Sequence, residues 1–211
     1  GASINKKDGP VRVTLPNGQM YHVHVDNRVP YWIYSNRQDD GTMRGPSTRS
    51  EQTANGVLPE GSFMPVPQPT GRRGGGGGNR GRGTPGPAWE PNIGGCESGF
   101  TIPDPVDADI VYASCYGNKV TRWDARTSTA RSIEPWLVTL DSPPNETKYR
   151  CHWTSPMAID PFAHNTVLYG CQLILKTTNG GQSWTELSPD LSTKDPSRIV
   201  SNGGLVGDNL G

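Results

Sequence analysis

The feature that most constrains this chain is a signature that occurs three times. An apolar run ends on an aspartate, a short polar turn follows, and a second apolar run carries a tyrosine: Asp26…Tyr34, Asp104…Tyr112 and Asp160…Tyr169. The Asp-to-Tyr distances are 8, 8 and 9 residues. Around the first of them Tyr21, Val23 and Val25 alternate with His22 and His24, the period of two that puts successive side chains on opposite faces of a strand. A strand-turn-strand unit kept at a fixed place calls for an architecture assembled from like units, and a β-sandwich has no reason to repeat it. The aspartates are 78 and 56 residues apart, and a 41-residue insertion at 48–88 accounts for the longer step. Units of about 40–55 residues with four strands each are what a propeller blade requires. The expected fold class is therefore all-β: four-stranded antiparallel β-propeller blades, a partial propeller of about three blades plus the end of another.

Composition agrees with short strands and excludes several other classes. With 27 Gly, 20 Pro and 32% apolar residues, long buried helices are not expected, while six Trp and seven Tyr can supply a core. The formal net charge is zero, so nothing marks the whole chain for nucleic acid or an anionic membrane. No run of 18 apolar residues is present, so no transmembrane segment is expected. Residues 48–88 hold Pro65, Pro67, Pro69 and five glycines from Gly74 to Gly78, too little apolar surface to offset chain ordering, and they read as a long insertion loop. Arg-Gly tracts can bind single-stranded RNA. The four arginines between Arg72 and Arg82 favour a surface loop instead, and no nucleic-acid partner is expected.

The chain divides accordingly. Residues 1–20 would be outer strands of an incomplete blade, with strands near Ala2–Ile4 and Val11–Leu15. Blades are expected at 21–95, interrupted by the insertion at 48–88, at 96–136 and at 149–188, with 189–211 as a linker to a further, missing blade. In the last blade, Val167–Leu175 forms one dense apolar run, read as one strand joined through an Asn179-Gly180-Gly181 turn to a second strand at Ser183–Leu187. Thr177, Asn179, Gly181 and Trp184 fit the pattern Ser/Thr-x-Asp/Asn-x-Gly-x-x-Trp. The amide would bond the backbone of its own turn, the glycine would supply a positive φ, and the indole would clamp the hairpin. This pattern resembles the Asp-box, a hairpin of sialidase-type and sortilin-type β-propellers, and its role there is structural.

The resemblance extends further. Segments 21–42, 94–136 and 176–199 are together similar to bacterial sortilin-like proteins, the BNR-repeat (Asp-box) "glycosyl hydrolase" family. The insertion and the four cysteines depart from that pattern. The resemblance implies a secreted, extracellular or periplasmic protein of many blades, of which this chain would be a fragment. Its partners would be the remaining propeller blades, in the same or another chain, and a peptide, glycan or protein ligand.

Propellers bind ligands at the mouth of the central channel. Candidates on inner strands are His22, His24, Glu97, His152 and Trp153, and candidates on nearby turns are Arg37, Gln38, Asp39, Asp40 and Tyr116. A glycosidase needs two carboxylates about 5–10 Å apart across the scissile bond, which Glu97 with Asp39 or Asp40 could supply. The plainer reading makes Asp39-Asp40-Gly41 a turn and ties Glu97 to backbone near Gly94-Gly95. The arginine cluster and Tyr-Glu pair of a sialidase are not identifiable, which disfavours that class. His22 and His24 share one strand face, and a metal site would need a third ligand from His152 or Asp26. Two histidines lining a polar channel is the preferred reading, with no metal and no cofactor expected.

Cys96 with Cys115 and Cys151 with Cys171 each bracket one strand-turn-strand, so two disulfides within blades are expected, with free buried thiols as the alternative. Asn145-Glu146-Thr147 is a glycosylation sequon in a eukaryotic secretory host only. The functional expectation is a non-catalytic extracellular binding module. The alternatives are a glycoside hydrolase acting on a polysaccharide and a structural subunit of a larger assembly.

Overall fold

A computed structural model describes residues 18–47, 89–116, 118–137 and 144–200. The strands expected near Ala2–Ile4 and Val11–Leu15, the insertion at 48–88 and residues 201–211 lie outside the described residues.

The described residues form three antiparallel four-stranded sheets and no α-helix. The first sheet contains β1 (Met20–Val25), β2 (Trp32–Arg37), β3 (Gly41–Pro46) and β4 (Glu90–Pro91). The second contains β5 (Thr101–Pro103), β6 (Ile110–Ser114), β7 (Val120–Asp124) and β8 (Thr129–Ser132). The third contains β9 (Met157–Ile159), β10 (Val167–Gly170), β11 (Ile174–Thr177) and β12 (Thr185–Glu186). Each sheet is a meander in which strand order follows chain order. The insertion leaves after β3 and returns at β4, whose Pro91 and Glu90 pair with Met43 and Arg44.

The repeated aspartate produces the same turn each time. It directly follows the first strand of its sheet, and its N–H bonds the carbonyl six residues on: Asp26 to Trp32, Asp104 to Ile110 and Asp160 to Thr166. Its carboxylate also accepts the N–H two residues on, from Arg28, Val106 and Phe162 respectively. This self-capping makes Asp a turn former. The matching tyrosine is the third residue of the second strand in every sheet, and Tyr34, Tyr112 and Tyr169 are all fully buried.

Alternation decides how the sheets stack. In β6 all five residues are buried. Val111 joins Tyr34, Ile93 and Trp123 in a cluster between the first and second sheets. Ile110 and Tyr112 point the other way, into a cluster with Met157, Val167, Tyr169 and Leu175 of the third sheet. The second sheet is thus covered on both faces, which explains why β6 runs apolar from Ile110 to Ala113 rather than alternating. Burying each such side chain contributes about 1.5–3 kcal/mol.

One expectation needs correction. Val167–Leu175 is not one strand: β10 stops at Gly170 and β11 starts at Ile174. Cys171 N–H bonds the Leu173 carbonyl at 2.9 Å, reversing the chain. Gly170 packs so closely on Pro156 that an added Cβ would lie 2.7 Å from its Cγ, and Cys171 is covalently tied to Cys151. Leu173 is buried within the turn itself, which leaves Gln172 as the one strongly polar side chain of the run.

Both cysteine pairs are disulfides, Cys96–Cys115 with Cα atoms 5.0 Å apart and Cys151–Cys171 with Cα atoms 4.1 Å apart. They occupy equivalent places, each joining the segment ahead of the first strand of a sheet to the residue just after its second. The buried free thiols of the alternative reading are absent among the described residues. Two disulfides fit an oxidising compartment, and no helix among the described residues is long and apolar enough to cross a membrane.

Candidate functional site

The connections that lead into the second and third sheets meet the β2–β3 and β6–β7 turns at one end of the molecule. Most of the residues singled out in the sequence lie there. Gln38, at the β2–β3 turn, is the hub. Its carbonyl accepts the Tyr21 hydroxyl hydrogen, and its Nε2 donates to Glu97 Oε2 at 3.0 Å and to Asp39 Oδ1 at 3.1 Å. Glu97 Oε2 also accepts the backbone N–H of Asp39 at 2.8 Å. Asp39 can present that N–H because it adopts φ 62°, a left-handed conformation that Asp tolerates better than most residues. Arg37 pairs with Asp40 at 2.6 Å across the same turn.

Glu97 and Asp39 are therefore brought together, yet one amide nitrogen lies between them and binds both. Glu97 is anchored to the Asp39 backbone, not to Gly94-Gly95. Asp40 is engaged by Arg37 instead.

Next to this network stands an aromatic group. Tyr116 stacks on Trp153 with ring centroids 4.6 Å apart and planes at 20°, and Trp153 Nε1 donates to the Tyr21 hydroxyl at 3.3 Å. Tyr21, Tyr116 and Trp153 are all partly exposed, and each comes from a different sheet or its lead-in. Ser98 Oγ donates to the Trp153 carbonyl at 3.3 Å, fixing the Trp153 backbone against the lead-in to β5.

The histidines do not converge. His22 stacks on Phe100 at 3.9 Å and its Nδ1 lies 2.9 Å from the Gly99 carbonyl. His24 lines a separate cavity of about 300 Å³ with Ile102, Pro103, Met157, Ala158 and Ile159, drawn from the first strand of each sheet. Burial, with the neighbouring His22 charge, pushes its pKa down. His152 is exposed, and its Nδ1 accepts the Thr154 N–H of its own turn. Asp26 is taken up by Arg28 and Tyr34. No group of three or more His, Cys, Asp or Glu among the described residues could hold a metal ion.

The Asp-box residues lie at the opposite end. Asn179 Oδ1 accepts from Thr177 Oγ1 at 2.9 Å and from Ser183 N–H at 3.0 Å, and Gly181 N–H reaches Thr177 Oγ1 at 3.0 Å. Gly180 and Gly181 have φ 67° and 84°. Trp184 reaches beyond its own hairpin: its Nε1 donates to the Ile133 carbonyl, just past β8, at 2.7 Å, and its ring meets Tyr169 edge-on.

Sequence reasoning missed Tyr21 as a member of the site. Tyr21 sits in phase with Val23 and Val25, so its hydroxyl was hidden by the pattern. No protein-family model and no curated protein matches the sequence.

Proposed function

We propose that the three sheets are consecutive blades of a β-propeller and that the chain is a non-catalytic, secreted binding module of the sortilin-like kind, recognising a peptide, glycan or partner protein. Three observations support the blade reading. Each sheet is a meander with the same first turn, successive sheets pack face to face, and the first strands β1, β5 and β9 line one shared cavity. The two disulfides support a place in the extracellular or periplasmic space.

The observation that carries the non-catalytic reading is the Gln38 amide, hydrogen-bonded to Glu97 and Asp39 at once. A glycosidase keeps the gap between its carboxylates open for the sugar and, when inverting, for a water. Here that gap is filled by protein. What remains accessible is Tyr116, Trp153 and Tyr21, amphipathic rings of the kind that anchor ligands.

The test is a panel of polysaccharides and oligosaccharides incubated with the protein and with Glu97→Gln, followed by mass spectrometry for products. The proposal predicts no cleavage by either protein. Cleavage by the wild type that disappears in Glu97→Gln, with the fold intact by circular dichroism, would overturn it.

A further inference from the structure

At the end opposite the aromatic group, a cleft of about 600 Å³ opens between the second and third sheets. Its walls come from β7, β8 and the turn between them, the β9–β10 turn, and the Asp-box hairpin. Its size falls in the roughly 300–1,000 Å³ range of ligand sites. Unlike the cavity at His24, every side chain lining it is polar or charged, among them Arg122, Arg131, Thr129, Asn165 and Gln182.

The lining carries two arginines, Arg122 and Arg131, against one carboxylate, Asp124. Asp124 is the acidic residue of the wall, and Arg126 holds it through Nε at 2.9 Å and Nη2 at 3.1 Å. Those bonds keep the Asp124 carboxyl below its usual range. Arg126 also binds Asp107 at 3.0 Å. Arg131 spends one N–H on the Gly180 carbonyl at 3.1 Å. Arg122 Nε is buried and meets no acceptor at good hydrogen-bond geometry among the described residues, although the guanidinium lies beside the Tyr112 hydroxyl. A buried guanidinium N–H without a partner costs free energy unless a ligand or water supplies an acceptor. Asn165 Oδ1 accepts from the buried Tyr112 hydroxyl at 3.1 Å, which fixes its amide and leaves the NH₂ as the free donor.

We propose that this cleft binds a carboxylate-bearing oligosaccharide, of the uronate type. Planar guanidinium groups pair with carboxylates in a two-point fashion, and the amides and hydroxyls around them suit a ligand rich in hydroxyls. A single inorganic anion would leave most of the volume unused. An acidic peptide would need apolar pockets for its other side chains, and the lining offers no apolar side chain. This site is separate from the aromatic end, and its success or failure leaves the reading of that end unchanged.

The experiment is isothermal titration of the protein with tetragalacturonate, maltotetraose and tetraglutamate, combined with amide chemical-shift mapping. Tetragalacturonate should bind at least tenfold more tightly than maltotetraose and tetraglutamate. Shifts should centre on Arg122, Asn165 and Gln182, and Arg122→Gln should weaken binding at least tenfold. If Arg122→Gln fails to fold, Gln182→Ala, an exposed substitution, should weaken binding severalfold. No binding of tetragalacturonate, equal binding of maltotetraose or tetraglutamate, or shifts confined to other surfaces would overturn the proposal.

Discussion

Asp104→Asn is the most informative single substitution, because its cost can be worked out atom by atom. The Asp104 side chain is fully buried. Its Oδ1 accepts from His164 Nδ1 at 2.8 Å, Val106 N–H at 2.9 Å and Asp107 N–H at 3.1 Å, while Oδ2 accepts from Asn165 N–H at 3.3 Å. His164 and Asn165 belong to the third sheet's first turn, so this carboxylate ties two sheets together. Asparagine keeps one acceptor oxygen, but its NH₂ would then face the Asn165 N–H, donor against donor. Losing one hydrogen bond (about 1 kcal/mol) and stranding buried donors (about 1–3 kcal/mol) gives a total of about 2–4 kcal/mol. Burial alone would raise the Asp104 pKa, but the bonds from His164 and the three N–H groups outweigh it and hold it low. Its contribution is therefore fully present above the unfolded value, near 3.9, and is lost as pH falls through the lower folded value. Urea denaturation at pH 7 and across the acid range measures both effects. The variant should be about 2–4 kcal/mol less stable at pH 7, with a flatter acid limb than the wild type. A change below about 0.5 kcal/mol, the size of an ordinary surface substitution, would refute the reasoning.

Other substitutions probe the same frame. Replacing Cys151 and Cys171 by Ser opens a loop of 20 residues in sequence separation, which should cost about 3 kcal/mol; thermal melts with and without reductant should show the wild type falling towards the variant. Trp184→Phe keeps a ring against Tyr169 but removes the bond to Ile133, and should cost about 1–2 kcal/mol in denaturant melts. The repeated tyrosines should not respond alike. Tyr34 donates to Asp26 at 2.9 Å and accepts from Arg28 at 2.6 Å, and burial pushes its pKa up to about 12. Tyr34→Phe should therefore lose about 1–3 kcal/mol. The buried Tyr169 hydroxyl has only the Ser155 side chain beside it, outside good hydrogen-bond geometry, so Tyr169→Phe should cost less than Tyr34→Phe.

Much of this architecture was legible in the sequence because its causes are local. The Asp-to-Tyr spacing reports a self-capped turn followed by a buried third strand residue, and both are set within ten residues. The cysteine spacing reports one hairpin, which is short enough to bring the sulfurs together. What escaped was set by distant neighbours. The reversal at Cys171 depends on Pro156 and Cys151, and within Val167–Leu175 only Gly170 and Gln172 mark it. Trp184 is expected to clamp its hairpin onto the rest of its own unit, and its ring does meet Tyr169 there, but its polar atom reaches a carbonyl 51 residues earlier. Within the site, the proximity of Glu97 to Asp39 was foreseen. Their shared amide was not, because the sequence offers Gln38 as a ligand-binding candidate and not as a partner of the two carboxylates.

The central claim is that three sheets stand as successive blades about one axis. Nuclear Overhauser contacts test it directly, since each pair of neighbouring sheets has its own aromatic reporter. The account predicts contacts between the His22 and Phe100 rings, between the Ile102 and Met157 methyls, and between the Trp184 indole and Ile133, all in one sample. Their joint absence, with contacts instead between the β1 and β12 edges of the first and third sheets, would contradict it.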